Sequence, residues 1–215
     1  MLIFDFNKEY VLEDDFVKLS PLRMEHIASL LEISEEPNLW TYFLEKGNGL
    51  QNLTKYVADT IDKRKRGTEY PFIVFDKTTN QYAGSTRFYD FIPELDVLKL
   101  GHTWYGNNFR GTGLNKRCKY LLFQFVFEKI GAERLGFGAH AENKVSIAAM
   151  ESVGCKKEGV LRGFLPAMDT TARIDVVLMS ILKSDWQLHA KTGLKNKIET
   201  NTASNKNKTP NQHLN

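Results

Sequence analysis

The sequence has few cysteines, no long apolar run and no excess of charge on its main body. Only two of the 215 residues are cysteines, Cys118 and Cys155, and they form no CxxC motif. Both lie in apolar segments, so we interpret them as reduced, buried thiols, with a disulfide or a catalytic thiol as alternatives. No apolar run approaches the ~18 residues needed to span a membrane, and the acids in "MLIFDFNKEY" argue against a secretory leader. We expect no membrane partner and a cytoplasmic location.

The charge of the chain is concentrated at its carboxyl end. The formal net charge is +3, from 29 basic and 26 acidic residues. Residues 187–215 hold five lysines and one glutamate, which leaves 24 basic and 25 acidic residues in 1–186. A nucleic-acid-binding domain usually carries its positive charge on the folded body. The nearly neutral body therefore makes a nucleic-acid partner an unfavoured alternative.

Composition also suggests where the folded domain ends. "NKIETNTASNKNKTPNQHLN" has too few apolar residues to offset the entropy lost on ordering. We predict an N-terminal lead-in over residues 1–15, one folded domain over 16–186, and a flexible polar tail over 187–215. The histidines and cysteines show no metal-ligand spacing, so no metal site is predicted.

Hydrophobic periodicity predicts an α/β domain with a mixed, mostly antiparallel central sheet flanked by helices. "YPFIVFDK" and "QYAGSTRFYDFI" predict strands, and "TTNQ" between them predicts a hairpin. Apolar residues at helical spacing from Leu114 to Ile130 predict a long helix that ends at Gly131. In "FVKLSPL", a short strand is predicted to give way to a helix at Ser20 and Pro21. The predicted order is β-α-α-β-β-β-α-β-α-β-β.

The segment "WYGNNFRGTGLNKRCKY" predicts a glycine-rich turn between a strand and the long helix. The first turn of a helix has unpaired N–H groups and a partial positive charge, which suit a phosphate. Glycines let the backbone approach such an anion closely, and Arg110, Lys116 and Arg117 add positive charge. A Walker A loop is disfavoured because Thr112 replaces its lysine, and GxGxxG is disfavoured because Lys116 replaces its third glycine. An ordinary strand-to-helix turn is the remaining alternative.

Three motifs in this order resemble the core of the GNAT N-acetyltransferases. They are "RGTG" at the start of a helix, "AENKVSIAAMESVGCKKEG" about thirty residues later, and "D…SILKSDW" near the end of the domain. The branch that is most similar contains the ribosomal-protein N-terminal acetyltransferases. The resemblance covers roughly residues 16–186 and implies a single-domain GNAT-like fold with acetyl-CoA as co-substrate.

The resemblance also implies which residues bind acetyl-CoA. The loop amides would hold its pyrophosphate, and a splayed strand ending at His102, Thr103 and Trp104 would hold its pantetheine and acetyl groups. Asn108 departs from the family pattern, which has Gln or Arg at that place. The implied loop positions are Phe109, Arg110, Gly111, Thr112, Gly113, Leu114 and Asn115.

Two polar residues near the later helix are also candidates. Asn143 would lie near the pantetheine arm, and Ser146 would help to reprotonate the departing CoA thiolate. Asn143 could equally be a helix cap and nothing more, and Ser146 a surface serine. His102 is the candidate catalytic base beside the loop, although a packed core histidine is an equal interpretation. Other candidate bases at strand ends are Asp90, Glu94 and Asp96.

The sequence does not identify the acceptor amine. Trp40, Tyr42, Phe43 and Phe164 suggest an aromatic cleft, although core packing explains them equally well. Glu45 and Asp169 could attract a cationic amine, and Asp175 is expected to pair with Arg173 or Arg162. The favoured function is acetyl-CoA-dependent N-acetyl transfer to a protein N-terminus or a small amine. A catalytically silent CoA-binding module is the alternative, and a homodimer is left open.

Overall fold

A computed structural model of the chain describes residues 1–168 and 170–206, with side chains described as far as residue 200. Eight strands form a single open sheet in the spatial order β1-β2-β3-β4-β5-β6-β8-β7. The strands are β1 (Leu12–Glu13), β2 (Val17–Pro21), β3 (Glu69–Asp76), β4 (Gln81–Ile92), β5 (Val97–Tyr105), β6 (Arg134–His140), β7 (Lys156–Pro166) and β8 (Arg173–Leu182). The helices are α1 (Ile27–Ser34), α2 (Gly49–Lys65), α3 (Leu114–Glu128), α4 (Lys144–Ser152), α5 (Lys183–Asp185) and α6 (Lys191–Lys206).

The predicted fold class is confirmed. Neighbouring strands are antiparallel except for β5 and β6, which are parallel. A parallel pair needs a crossover, and here α3 provides it. Helices cover both faces of the sheet, so β3 and the first half of β4 are buried on both faces rather than alternately.

Two apolar layers flank the sheet. The larger lies under α3, where Leu122, Phe123 and Val126 are fully buried against the sheet. The smaller lies on the opposite face, where Leu53 and Val57 of α2 meet Leu30 of α1. These layers fix α2 and α3 on opposite faces of β4 and β5.

The start of the first helix differs from the prediction. Ser20 and Pro21 belong to β2, and Pro21 lies opposite Phe72 of β3. Within the described residues, β1 pairs with residues 18 and 19 of β2 and no strand pairs with Pro21 on that side, so its missing N–H is tolerated. The helical turn begins at Met24.

Segments on both sides of the predicted domain, residues 1–15 and the start of 187–215, pack against its core. In the lead-in, Leu2 is buried and Phe4 packs against the larger apolar layer, so residues 1–15 contribute to the core. The predicted tail begins inside a π-helical turn, Trp186–Ala190, that leads into α6. Leu194 is 2% exposed, because α6 packs along α3.

The first part of residues 187–215 is therefore helical and packed in this structure. Residues 207–215 lie outside the described part of the chain. In the part that is described, no helix is both long and apolar enough to cross a membrane.

Candidate active site

The parallel strands β5 and β6 separate partway along their length. They are paired only where residues 97–99 meet residues 134–136. Beyond Lys99 and Gly136 the strands diverge, while β4 still pairs with β5 and β8 still pairs with β6. The facing edges of residues 100–105 and 137–140 are therefore left open in a V-shaped cleft, where backbone groups are available to a ligand.

A bulge in β5 lies at this cleft. Ser85 pairs with Trp104 and Arg87 pairs with Gly101, so His102 and Thr103 together lie opposite Thr86. His102 has a left-handed φ of 49°, which is unusual for a residue other than glycine. The Trp104 side chain is buried, and its ring centroid lies 5.3 Å from that of Trp40. Only the backbone of Trp104 is therefore open to a ligand.

The glycine-rich loop leaves a group of backbone amides without partners. Gly111 and Gly113 have φ values of 75° and 98°, and Gly113 is the N-cap of α3. Among the described residues, no acceptor is found for the amides of Gly111, Thr112 and Gly113. The Leu114 N–H donates to the Thr112 hydroxyl at 3.3 Å, whereas the next amides of the first turn of α3, including that of Asn115, have no intrahelical acceptor. A Cβ atom built on Gly111 meets nothing within 4 Å, so the space above the loop is open to an anion.

The side chains of the loop mostly support its shape. Phe109 and Leu114 are buried in the apolar core, and the Thr112 hydroxyl donates to the Phe109 carbonyl at 2.8 Å. The Arg110 Nε donates to the Tyr105 carbonyl at 2.9 Å. Arg117 lies against Asp14, 2.9 Å away, so its charge is directed toward the N-terminal segment.

The start of α4 lies at the same edge of the sheet as the loop, because β5 and β6 are parallel and each leads into a helix there. Asn143 caps α4, and its Oδ1 accepts the Ser146 N–H at 3.0 Å. Asn143 therefore acts as the N-cap of α4. Ser146 is half-buried one turn into α4.

His102 lies among charged and aromatic groups on the α2 face of the sheet. Its ring meets the Tyr89 ring edge-on, with the centroids 5.1 Å apart. Burial lowers the pKa of His102 well below its ordinary value, and the positive charges of Arg87 and Lys63 lower it further. The imidazole is therefore neutral at pH 7, which leaves a lone pair free but makes it a weak base.

The other candidate bases lie away from the cleft. Asp90 pairs with Lys99 at 3.0 Å, and Asp96 receives the Leu2 amide and the chain's amino terminus. Asp96 and Glu94 precede the first residue of β5, whereas the bulge is near its last residue. Asp90 and Asp96 thus make contacts near the opposite end of the strand.

A second cleft of about 600 Å³ adjoins this edge of the sheet. Its walls are the α1–α2 connection, His140 at the end of β6, and the tip of the β7–β8 hairpin. Trp40, Tyr42 and Phe43 line it, whereas Phe164, the fourth aromatic residue expected there, is exposed and is not among the lining residues. Trp40 also packs on Tyr56 of the core, so both interpretations of these aromatic residues hold.

The acidic residues expected near the acceptor have different roles. Glu45 pairs with Arg87 at 3.1 Å. The Asp175 carboxylate accepts the Gly163 N–H at 2.6 Å, so the expected pairing with an arginine is wrong. Gly163 has a φ of 55°, and this contact shapes the hairpin near the cleft. Asp169 lies outside the described residues.

Sequence reasoning missed two polar residues of this region. His140 accepts the Glu142 N–H at Nδ1 and lies beside the Tyr42 ring, so its Nε2 is left to donate to a ligand.

Lys119 lies within the apolar face of α3 and is only 5% exposed. Its spacing from Leu122, Phe123 and Val126 places it on the buried stripe of the helix, which was the available signal. In the described part of the chain, no cluster of three potential metal ligands occurs.

Comparisons with known proteins agree with this geometry. A family model described as an acetyltransferase (GNAT) domain matches residues 17–156. The chain is 26% identical over 125 residues to the N-acetyltransferase p20 of Bacillus licheniformis, itself uncharacterized, covering 58% of this chain and 68% of that protein.

Solved structures share the fold. A GCN5-related N-acetyltransferase from Brucella melitensis superposes with a TM-score of 0.81 at 22% identity, covering 89% of this chain and 86% of that one. RimL, a ribosomal L7/L12 alpha-N-protein acetyltransferase in its apo form, gives 0.71 at 16% identity, covering 85% and 99%.

Proposed function

The chain belongs to the GNAT family of acetyltransferases, and we propose that it transfers acetyl from acetyl-CoA to a primary amine by direct attack. One observation carries the cofactor assignment. Unpartnered amides of the Gly111–Gly113 turn and the α3 N-terminus lie at the end of the strand that borders the open cleft. Such amides suit a pyrophosphate, and the edges of the cleft suit an extended chain with amide groups. Backbone groups supply most of these contacts, so Asn108 is compatible with binding.

The proposed reaction needs a proton acceptor and a proton donor. His102 takes the proton of the amine, because its neutral imidazole lies in the bulge beside the cleft. Ser146, one turn into α4, returns a proton to the CoA thiolate. Asn143 holds the start of that helix through its bond to the Ser146 amide.

The proposed acceptor is a protein N-terminal α-amine. The cleft of about 600 Å³ can take several residues of an extended chain, and its charged lining residues are the acids Glu35 and Glu36 and the base Lys46, so carboxylates outnumber the cation. Negative charge beside the cleft favours a cationic amine over an anionic substrate. RimL, with the same fold, has a protein as its substrate. A small amine such as a polyamine is the competing acceptor.

The loop assignment can be tested by calorimetry with acetyl-CoA. We expect a micromolar dissociation constant for the parent chain and at least ~10-fold weaker binding for Gly111→Val, because a branched side chain would enter the path of the anion. Gly159→Val is the matched control, since a Cβ there also meets nothing within 4 Å but φ is not left-handed. Unchanged affinity in Gly111→Val would refute the pyrophosphate site.

Turnover separates an enzyme from a silent binding module. Acetyl-CoA is offered with peptides bearing free N-terminal serine or alanine and, separately, with spermidine, and acetylated products are detected by mass. We expect the peptides to gain one acetyl group, and His102→Gln to lower kcat/KM by ~10–100-fold. Tight acetyl-CoA binding without any product would favour the silent module.

A further inference from the structure

Lys119 is a buried cation that the proposed mechanism does not use. It projects from α3 and is 5% exposed. Its Nζ donates to the Thr103 Oγ1 at 3.2 Å and lies 5.8 Å from the centre of the Phe137 ring. Thr103 belongs to β5 and Phe137 to β6, and both follow the last paired residues of these strands. The ammonium group therefore lies at the floor of the cleft.

The surroundings of Lys119 do not compensate its charge. An ammonium group has three N–H donors, and Thr103 accepts one of them. The Thr103 hydroxyl lies 2.7 Å from the Thr86 hydroxyl, which is 3.4 Å from the Gly101 carbonyl, so this chain of hydroxyls ends on a neutral acceptor. Within the part of the chain that the structure describes, no carboxylate pairs with Lys119. A buried charge without a partner destabilises a fold.

The titratable groups that face Lys119 are two thiols, Cys118 on α3 and Cys155 just before β7. Burial raises the pKa of each thiol to about 12, so both are neutral at pH 7. Burial lowers the pKa of Lys119 to about 8, so the ammonium form still predominates at neutral pH. A hydrogen-bond acceptor that enters the cleft would therefore meet a positively charged group with N–H donors still available.

We propose that Lys119 is a catalytic residue whose ammonium group donates to the thioester carbonyl oxygen of acetyl-CoA, an inference that rests on the proposed function. When the amine nitrogen bonds to the carbonyl carbon, the carbonyl π pair moves to oxygen. The pair on oxygen then re-forms the carbonyl as the C–S bond breaks, sulfur leaves with the bonding pair as a thiolate that Ser146 protonates, and the amine proton passes to His102. The charge on oxygen exists only during this sequence. A preorganised cation in a dry site stabilises it far more than water would.

Lys119→Met keeps the length and apolar contacts of the side chain but removes the charge. We expect kcat with the best acceptor peptide to fall ~100–1,000-fold, as when one oxyanion donor is lost. The calorimetric affinity for CoA, which has no acetyl group, should change less than ~3-fold. Thr78→Val is the control. The Thr78 hydroxyl bonds the Asp76 carboxylate at the end of β3, away from the cleft, so this variant should keep the kcat of the parent.

Stability provides a readout that a structural lysine would not give. The pKa of Lys119 is lower in the folded state than in the unfolded state, so below about 8 the folded chain carries an uncompensated charge. We expect Lys119→Met to melt at or above the parent temperature at pH 7, and the gap to narrow as pH rises from 8 to 10.5.

Lys119→Arg tests the charge directly. In the parent, the ammonium form of Lys119, which stabilises the charge on the carbonyl oxygen, is lost as pH rises through about 8, so kcat should decline above that pH. Arginine stays protonated, so a folded Lys119→Arg chain should retain activity above pH 9.

Three outcomes separate the two proposals. A parent that acetylates peptides while Lys119→Met matches its kcat overturns the role of Lys119 alone. A Lys119→Met chain that melts well below the parent and recovers full kcat per folded molecule assigns the lysine to structure and also overturns the role. If the parent binds no acetyl-CoA and acetylates nothing, the proposed function fails, and this inference fails with it.

Discussion

Arg87 and Lys119 are both buried cations beside the same bulge, on opposite faces of the sheet. Arg87 is 1% exposed on the α2 face, where Nη1 donates to the Thr60 hydroxyl at 2.8 Å. Two carboxylates accompany it, Glu45 at 3.1 Å and Glu69 at 3.0 Å. The Nε–H does not point at the Glu69 oxygen, so we regard that contact as electrostatic rather than as a hydrogen bond. Among the described residues, Lys119 has one hydrogen-bond acceptor, the Thr103 hydroxyl, and no carboxylate.

The two cations differ in whether the free energy of their desolvation is offset by other groups of the chain. Desolvation of Arg87 is offset by groups that the chain itself supplies, so this cation belongs to the structure. Desolvation of Lys119 is not offset within the described chain, and folding retains the residue at a cost in stability. Active sites characteristically hold groups of the second kind, because their partners arrive with the substrate.

The largest expected effect follows from removing the compensated cation. Arg87→Met leaves Glu45 and Glu69 without their central partner, with Lys63 the remaining cation at Glu69. We expect the free energy of unfolding in urea to fall by about 4 kcal/mol, as for other buried pairs that lose one member. Lys119→Met is the matched control and should lose none. A loss below about 1 kcal/mol in Arg87→Met would remove the distinction between the two faces.

The next effect tests whether the α3 face is closed by the carboxyl-terminal helix. A chain ending at Trp186 loses Leu194 and Ala190, both buried, and the ion pair of Lys191 with Glu128 at 2.8 Å. Burial of one leucine contributes about 1.5–3 kcal/mol, so we expect a loss of about 3 kcal/mol in unfolding free energy. A chain ending at Lys206 keeps these contacts and should match the parent. Equal stability of the two shortened chains would restore residues 187–215 to the status of a tail.

The α6 boundary illustrates what the sequence could not reveal. Most of residues 187–215 are polar, so composition outweighed the few apolar residues at near-helical spacing. Those few are enough because α6 extends a helical segment already anchored by Trp186, which is fully buried. A helix that continues an anchored segment needs fewer apolar residues of its own to stay folded, and the composition of the segment does not reveal that anchor.

The shape of the glycine-rich loop was predictable for the opposite reason. Glycines with left-handed φ, unpaired first-turn amides and a preceding strand are local features of the chain. Lys119 and the bulge at His102 depend on how β5 and β6 diverge, which is a long-range property of the sheet. Asp90, Glu94 and Asp96 were sensible bases by type, but the direction of β5 places them at its far end.

Ser146→Ala separates the proton donor from the cation. If Ser146 reprotonates the thiolate and Lys119 stabilises the carbonyl oxygen, loss of the hydroxyl should lower kcat by ~10–100-fold, or about 1.4–2.7 kcal/mol, with little change in KM. The decline of rate above pH 8 should persist, because Lys119 is unchanged. Ser152→Ala is the control on the same helix, since its hydroxyl bonds the Ala149 carbonyl at 2.7 Å. Parent-like kcat in Ser146→Ala would return Ser146 to an ordinary surface position.

The smallest effect comes from a third cation, Arg134, which is paired near the surface. Its guanidinium donates to both oxygens of Glu158, and each side chain is about one third exposed. The bond from Arg134 lowers the pKa of Glu158 to about 2, with a smaller contribution from the Ser180 hydroxyl. Solvent screening limits such a pair to about 1 kcal/mol at most, well below the effect expected at Arg87.

The pH dependence of Glu158→Gln should identify this contribution. Because the folded pKa lies below the ordinary value of 4.5, the stabilisation is fully present above about pH 4.5 and is lost as pH falls toward 2. The difference in unfolding free energy between parent and variant should therefore be measurable at pH 7 and vanish near pH 2. Glu142→Gln is the control, since that exposed carboxylate forms no ion pair with a described residue. A loss at Glu158 as large as that at Arg87 would mean that burial does not decide what a compensated cation contributes here.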